Sequence, residues 1–207
     1  MTTSRPALLP AEEAAHAAAS ADIDDRKAQT SLYRALLNQP HLAKRVSDLI
    51  DTLMMDTVLD PRLRELIVMR LAWSKGCVYT WTQHWRIAPI FGVEEEHLLA
   101  VRDWEDHNHW SSADRAALLA TDETLSDGVI SPDTWDHCIA AFPTAAERLE
   151  LVLAIGSWKM MSEVLRTLMV PLEDGVVPWP PDGLVPNRPG GATETNGAGL
   201  ENDGENP

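Results

Sequence analysis

The chain of 207 residues carries a formal net charge of −15 and 44% apolar residues; this suits one domain with a sizeable core and argues against affinity for nucleic-acid phosphates or anionic lipid surfaces. Two cysteines, Cys77 and Cys138, are too few for a disulfide framework, and neither a secretory leader nor an apolar run of membrane length is read, so a soluble, cytoplasmic protein is expected. Eight tryptophans against two phenylalanines suit interfaces or pocket walls, with core filling the commoner role.

Residues 1–24 are alanine-rich and acidic, with no large apolar face, and read as a loosely held arm. A helical domain is expected over 25–175. It begins with a stripe of Leu32, Tyr33, Leu36 and Leu37 in a helix over 25–38, stopped by Pro40, and continues with an amphipathic helix over 41–55. Asp60-Pro61 reads as a cap and first helical position. The helix that follows, to about residue 75, is apolar nearly all round and therefore buried. Glu65 inside it must find a partner or have its pKa raised, because an unpaired buried carboxylate is costly.

Gly76 breaks that helix, and 77–91 reads as a new one with Cys77 in its first turn, Pro89 kinking its end and Gly92 closing it. Cys77, Thr80, Trp81, His84 and Ala88 recur at helical spacing and share a face. A cysteine in a first turn feels the positive end of the helix dipole, which favours thiolate. His84, two turns on, can exchange protons near neutrality. If the two helices fold back about Gly76, Glu65 approaches His84 and the pair forms an acid/base relay. A buried apolar cysteine and a satisfied core histidine are the plainer alternatives.

Beyond this hairpin, helices are read over 94–104, from Ser111 or Ser112 to 125, over 131–141, and from Pro143 through a long segment in which Gly156 and Ser157 allow close approach. His107, His109 and Asp106 lie in a connector that lacks further ligands at metal-binding spacing, so no metal is expected. Residues 176–207 form a Pro/Gly-rich tail with nothing to bury. No strand alternation, repeat or Gly-rich phosphate loop occurs, and an all-α fold is expected.

Glu65, then Cys77 twelve residues later, then His84 seven after that, resembles the core motif of the carboxymuconolactone decarboxylase and alkylhydroperoxidase D superfamily. That motif's redox branch carries a second cysteine where this chain has Thr80. Cys77, Tyr79, Trp81 and His84 are similar to the decarboxylase-like branch, as is the later segment GSWKMMSEVLRTLMVPLEDG, and the resemblance spans about residues 29–175. It implies a compact AhpD-like helical domain, assembled as a homotrimer or hexamer, acting on a small-molecule substrate without a cofactor, nucleic acid or membrane. The implied chemistry is proton transfer, decarboxylation or a related lyase or isomerase step, on an oxo-acid or lactone. His84 would supply the proton, Glu65 would orient and recharge it, and Cys77 would be a polarisable wall or secondary donor. Tyr79 or Arg86 would hold a substrate oxygen, with Thr80 and Trp81 lining the site. Two other functions stay open: a thiol peroxidase in which Cys138 replaces the missing cysteine, and a non-catalytic ligand-binding oligomer.

Overall fold

A computed structural model describes residues 5–178 together with 182 and 184. Among them the helices are α1 (Ala11–Ser20), α2 (Asp25–Ala28), α3 (Ser31–Leu36), α4 (Pro40–Met55), α5 (Pro61–Lys75), α6 (Val78–Ile87), α7 (Glu95–Ala100), α8 (Ser112–Ser126), α9 (Pro132–Ala141) and α10 (Ala145–Leu168), with 3-10 turns at Ala88–Phe91 and Trp104–Asp106. The described residues contain no strand, and the fold is all-α.

The caps explain where the helices begin. Asp60 accepts from the Arg62 amide with Pro61 at the first position, and Ser111 and Thr144 each make a reciprocal capping box, with Asp114 and Glu147. The boundary between α2 and α3 falls inside the stretch expected as one helix. Thr30 accepts from the Tyr33 amide and its hydroxyl donates to the Lys27 carbonyl, so the chain restarts there. Pro40 begins α4 rather than merely ending what precedes it, because the Gln39 side chain accepts from the His41 and Leu42 amides. The helix expected over 94–104 stops at Ala100, and Trp104 starts a separate 3-10 turn in which its indole donates to Asp122.

Helix α5 is the central post, packed against α6, α8 and α10. Its Leu63, Leu66, Ile67, Val68, Met69 and Leu71 are all buried. A helix apolar on every side needs neighbours on every side, and truncating one of these leucines to alanine should cost about 2–5 kcal/mol.

The arm expected over 1–24 differs in its second half. Residues 11–20 form α1, and Ala14 and Ala18 are buried in a second cluster with Ile23, Ala28, Tyr33, Leu37 and Ala43. The small side chains that make its apolar face look weak are what let α1 approach α3 and α4 closely. Past Pro178 the expected tail lies outside the described residues, except for 182 and 184.

Candidate active site

Helix α5 ends because Gly76 adopts φ 62°, a left-handed conformation that spares glycine the clash a Cβ would cause. The Cys77 amide then donates to the Ala72 carbonyl at 2.8 Å, and α6 runs back along α5. Cys77 is the N-cap of α6 rather than a first-turn residue, and its side chain accepts no capping hydrogen bond. Its Sγ lies 3.2 Å from Thr80 Oγ1. Among the described residues that hydroxyl is its polar neighbour, and the thiol sits in an apolar cluster with Tyr79 and Leu165.

The hairpin brings Glu65 and His84 together. His84 Nδ1 is 2.7 Å from Glu65 Oε2, while Glu65 Oε1 accepts from Arg64 Nε and Nη2 at 3.1 and 2.9 Å. Arg64 turns its remaining Nη1 to the carbonyls of Leu53 and Met54 at the end of α4 and lies over the Phe91 ring. Arg64 is 1% exposed and Glu65 0%, so each charge exists there only because the other balances it. Burial pushes the Glu65 carboxyl up, but the His84 ring on one oxygen, followed by the Arg64 guanidinium on the other, outweighs it and holds the group below its ordinary value.

On its other side, His84 Nε2 is 3.2 Å from Trp158 Nε1 of α10. An indole N–H only donates, so Nε2 accepts and Nδ1 carries the proton toward Glu65. The ring is therefore oriented from both ends. Arg64 and Trp158 are the two partners that sequence reasoning missed. The signal for Arg64 was a second charge beside Glu65 in an otherwise apolar helix; Trp158, 74 residues from His84, left none.

The other predicted residues scatter. Tyr79 donates to Glu173 Oε1 at 2.6 Å and accepts from the Leu32 amide at 3.2 Å. Burial, and then the Glu173 carboxylate, push its phenol well above the ordinary range. Glu173 also accepts from the Ser31 amide and the Gln83 side chain, pinning the segment after α10 onto α3 and α6. Trp81 packs between Trp73 and Trp85, with ring centroids 5.3 and 6.0 Å away. Arg86 is exposed, away from His84.

A groove of about 450 Å³ opens beside Cys77 and Tyr79, walled by Leu165 and Val170, with Arg5 and Arg166 among its lining residues. Cys138 lies elsewhere: it is fully buried in the main core against Ala116 of α8, and burial, then Glu123, push its thiol up to about 11. His107 and His109 pair separately with Asp103 and Glu96. Among the described residues no three His, Cys, Asp or Glu side chains group as a metal site, and no helix is long and apolar enough to cross a membrane.

Residues 40–123 match the carboxymuconolactone decarboxylase family. The uncharacterized protein YdfG of Bacillus subtilis (strain 168) is 28% identical over 103 residues, which cover 48% of this chain and 70% of that protein. Two solved structures share the fold. A peroxidase-related protein with an alkylhydroperoxidase AhpD core, from Ralstonia eutropha JMP134, superposes with a TM-score of 0.63 at 16% identity, covering 82% of this chain and 92% of its own. The debrominase Bmp8, as a cysteine-to-alanine variant in complex with 2,3,4-tribromopyrrole, gives 0.65 at 14% identity, covering 84% and 93%. The segment that matches the carboxymuconolactone decarboxylase family thus contains the α5–α6 hairpin with Glu65, Cys77 and His84, and the helical fold around it is similar to that of AhpD-like structures.

Proposed function

We propose that the chain is an enzyme of proton-transfer chemistry on a small oxo-acid or lactone, a decarboxylase or a related lyase or isomerase, with Glu65 and His84 as its relay. The observation that carries this reading is the 2.7 Å contact of His84 Nδ1 with a carboxylate that is 0% exposed. An imidazole so held, accepting at Nε2, can take a proton there when the Trp158 N–H yields that position to substrate. The imidazolium that forms is stabilised by Glu65 and can return the proton to carbon. In a decarboxylation, His84 first takes a proton at Nε2 from water, the C–CO2 bond breaks with its electron pair passing into the enolate, and the Nε2 proton then quenches the carbanion as CO2 leaves, which returns the imidazole to its starting form.

The thiol peroxidase alternative draws less support. Sulfenic acid chemistry of that kind needs a resolving thiol, Thr80 occupies the expected place, and Cys138 is a buried, protonated thiol in a different cluster from Cys77. Cys77 is assigned here to the wall of the groove, with Thr80 beside it. Self-association into trimers or hexamers is part of the same proposal. Leu149, Val152, Leu153 and Met160 leave an exposed apolar stripe along α10 that a second copy would cover. Light scattering that gives a monomer mass would overturn the assembly.

The catalytic test is steady-state turnover of a panel of oxo-acids and lactones. His84→Gln and Glu65→Gln should each lower kcat by about 10² or more, and the double variant should be little worse, because the two act as a unit. Multiplicative losses, or total loss in Cys77→Ser with His84→Gln still active, would put the chemistry on the thiol instead.

A further inference from the structure

Arg102 differs from three other paired arginines among the described residues. In Arg26, Arg64 and Arg70, the edge formed by Nε and Nη2 closes on a carboxylate, Asp24, Glu65 and Asp122 respectively. Among the described residues Arg102 uses Nη1 alone, donating to the exposed Asp182 at 2.8 Å. Its Nε and Nη2 are buried and have no partner among the described residues. Beside them the Trp81 indole N–H is also buried and, among the same residues, unpartnered. The guanidinium carbon sits 4.7 Å from the Trp73 ring centroid and 5.5 Å from that of Trp81. Three buried donors without an acceptor among the described residues, two of them on one cation, thus belong to residues that pack together in a flat aromatic cluster. An unsatisfied buried donor is costly, and the Nε–Nη2 edge of a guanidinium is the one that grips a planar pair of oxygens.

We propose that the Arg102 edge and the Trp81 indole N–H form a binding subsite for the carboxylate of a small organic ligand, whose flat or apolar body lies against Trp73. Trp81 precedes His84 by three positions, so the two are neighbours on the surface of α6, and a carboxylate held there presents the rest of the ligand one helical turn from the relay. The subsite draws its substrate role from the proton-transfer reading; its binding chemistry stands without it. Arginine rather than lysine is required, because the fork offers two parallel N–H groups and its face stacks on indole.

The test is calorimetric titration of the full-length protein with benzoate, acetate and the neutral isostere benzamide. Benzoate should bind saturably, acetate more weakly, and benzamide not measurably. Arg102→Lys should weaken benzoate by roughly tenfold or more, and Trp81→Phe, which keeps the ring but loses the N–H, by several-fold. Arg45→Gln, which removes an exposed guanidinium on α4, should leave binding unchanged. His84→Gln should bind benzoate as the wild type does, so that a failure of the relay is read in turnover and a failure of the subsite in binding. Absence of binding by both carboxylates, equal binding of benzoate and benzamide, or benzoate affinity insensitive to Arg102→Lys would each overturn the proposal.

Discussion

The two ends of the α5–α6 hairpin are built on opposite terms. At the far end Glu65, His84 and Arg64 are sealed among α4, α5, α6 and α10, and Arg64, Glu65, His84 and Trp158 bond one to the next in an unbroken series. At the turn, Cys77 has one polar neighbour among the described residues, the Thr80 hydroxyl, and a groove beside it. The difference teaches that the Glu65–His84 pair and the Cys77 thiol are held by separate means in this fold. The pair is bonded into the core, whereas the thiol is held by packing and can change identity without disturbing a charge.

The largest expected effect tests the sealed end. Arg64→Met leaves a carboxylate buried beside an uncharged side chain and should cost about 3–5 kcal/mol of stability, read from the urea midpoint; a loss as small as that of a surface arginine would show that Glu65 does not need it. Next comes acid. Because the folded carboxyl of Glu65 is held below its ordinary value of 4.5, it contributes stability above that pH and loses it as the pH falls through the lowered value. Wild-type unfolding free energy should therefore drop more steeply below 4.5 than that of Glu65→Gln, and parallel curves would refute the depressed pKa.

At the open end, Cys77→Ser should reduce turnover by less than about tenfold, since a wall residue does not carry the proton. Thr80→Cys should sharpen the contrast by restoring a vicinal thiol pair. It is expected to raise dithiol-dependent consumption of organic hydroperoxides above a negligible wild-type rate, and robust wild-type turnover would erase the distinction between the two ends. The smallest effect is assigned to Trp158→Phe. Loss of its N–H should leave the fold intact and release the His84 tautomer, visible as altered imidazole nitrogen shifts by NMR, with a turnover change of a few-fold; unchanged shifts would mean that Glu65 alone sets the ring.

The relay was legible because its geometry is local. A glycine between two helices, with a carboxylate and an imidazole eleven residues before it and eight after it, gives a hairpin whose partners meet by helical spacing alone. What lay outside the hairpin was not legible. Trp158 reaches His84 from α10, and no periodicity within α6 announces it. Tyr79 looked available for a ligand, yet its hydroxyl is committed to Glu173 from a segment that carries no helix signal. Arg86 is exposed, and it stands outside the face shared by Cys77, Thr80, Trp81, His84 and Ala88, so helical spacing gave it no position relative to His84. The helix start signals were reliable because a cap is a short-range contact, whereas α1 shows that an alanine face, weak as a hydrophobic signal, packs well when its neighbour offers a close surface.

Glu173 links parts of the chain that emerge at very different times during synthesis. Its bonds to Ser31, Tyr79 and Gln83 span 142, 94 and 90 positions, whereas Glu65 and His84 are 19 apart. Loop closure over such distances is slow and comes late. A nascent chain released as far as α6 thus holds both Glu65 and His84, whereas Trp158 behind His84 and the Leu165 wall beside Cys77 come only with α10. The surroundings of the thiol are therefore the last part of this hairpin to be completed.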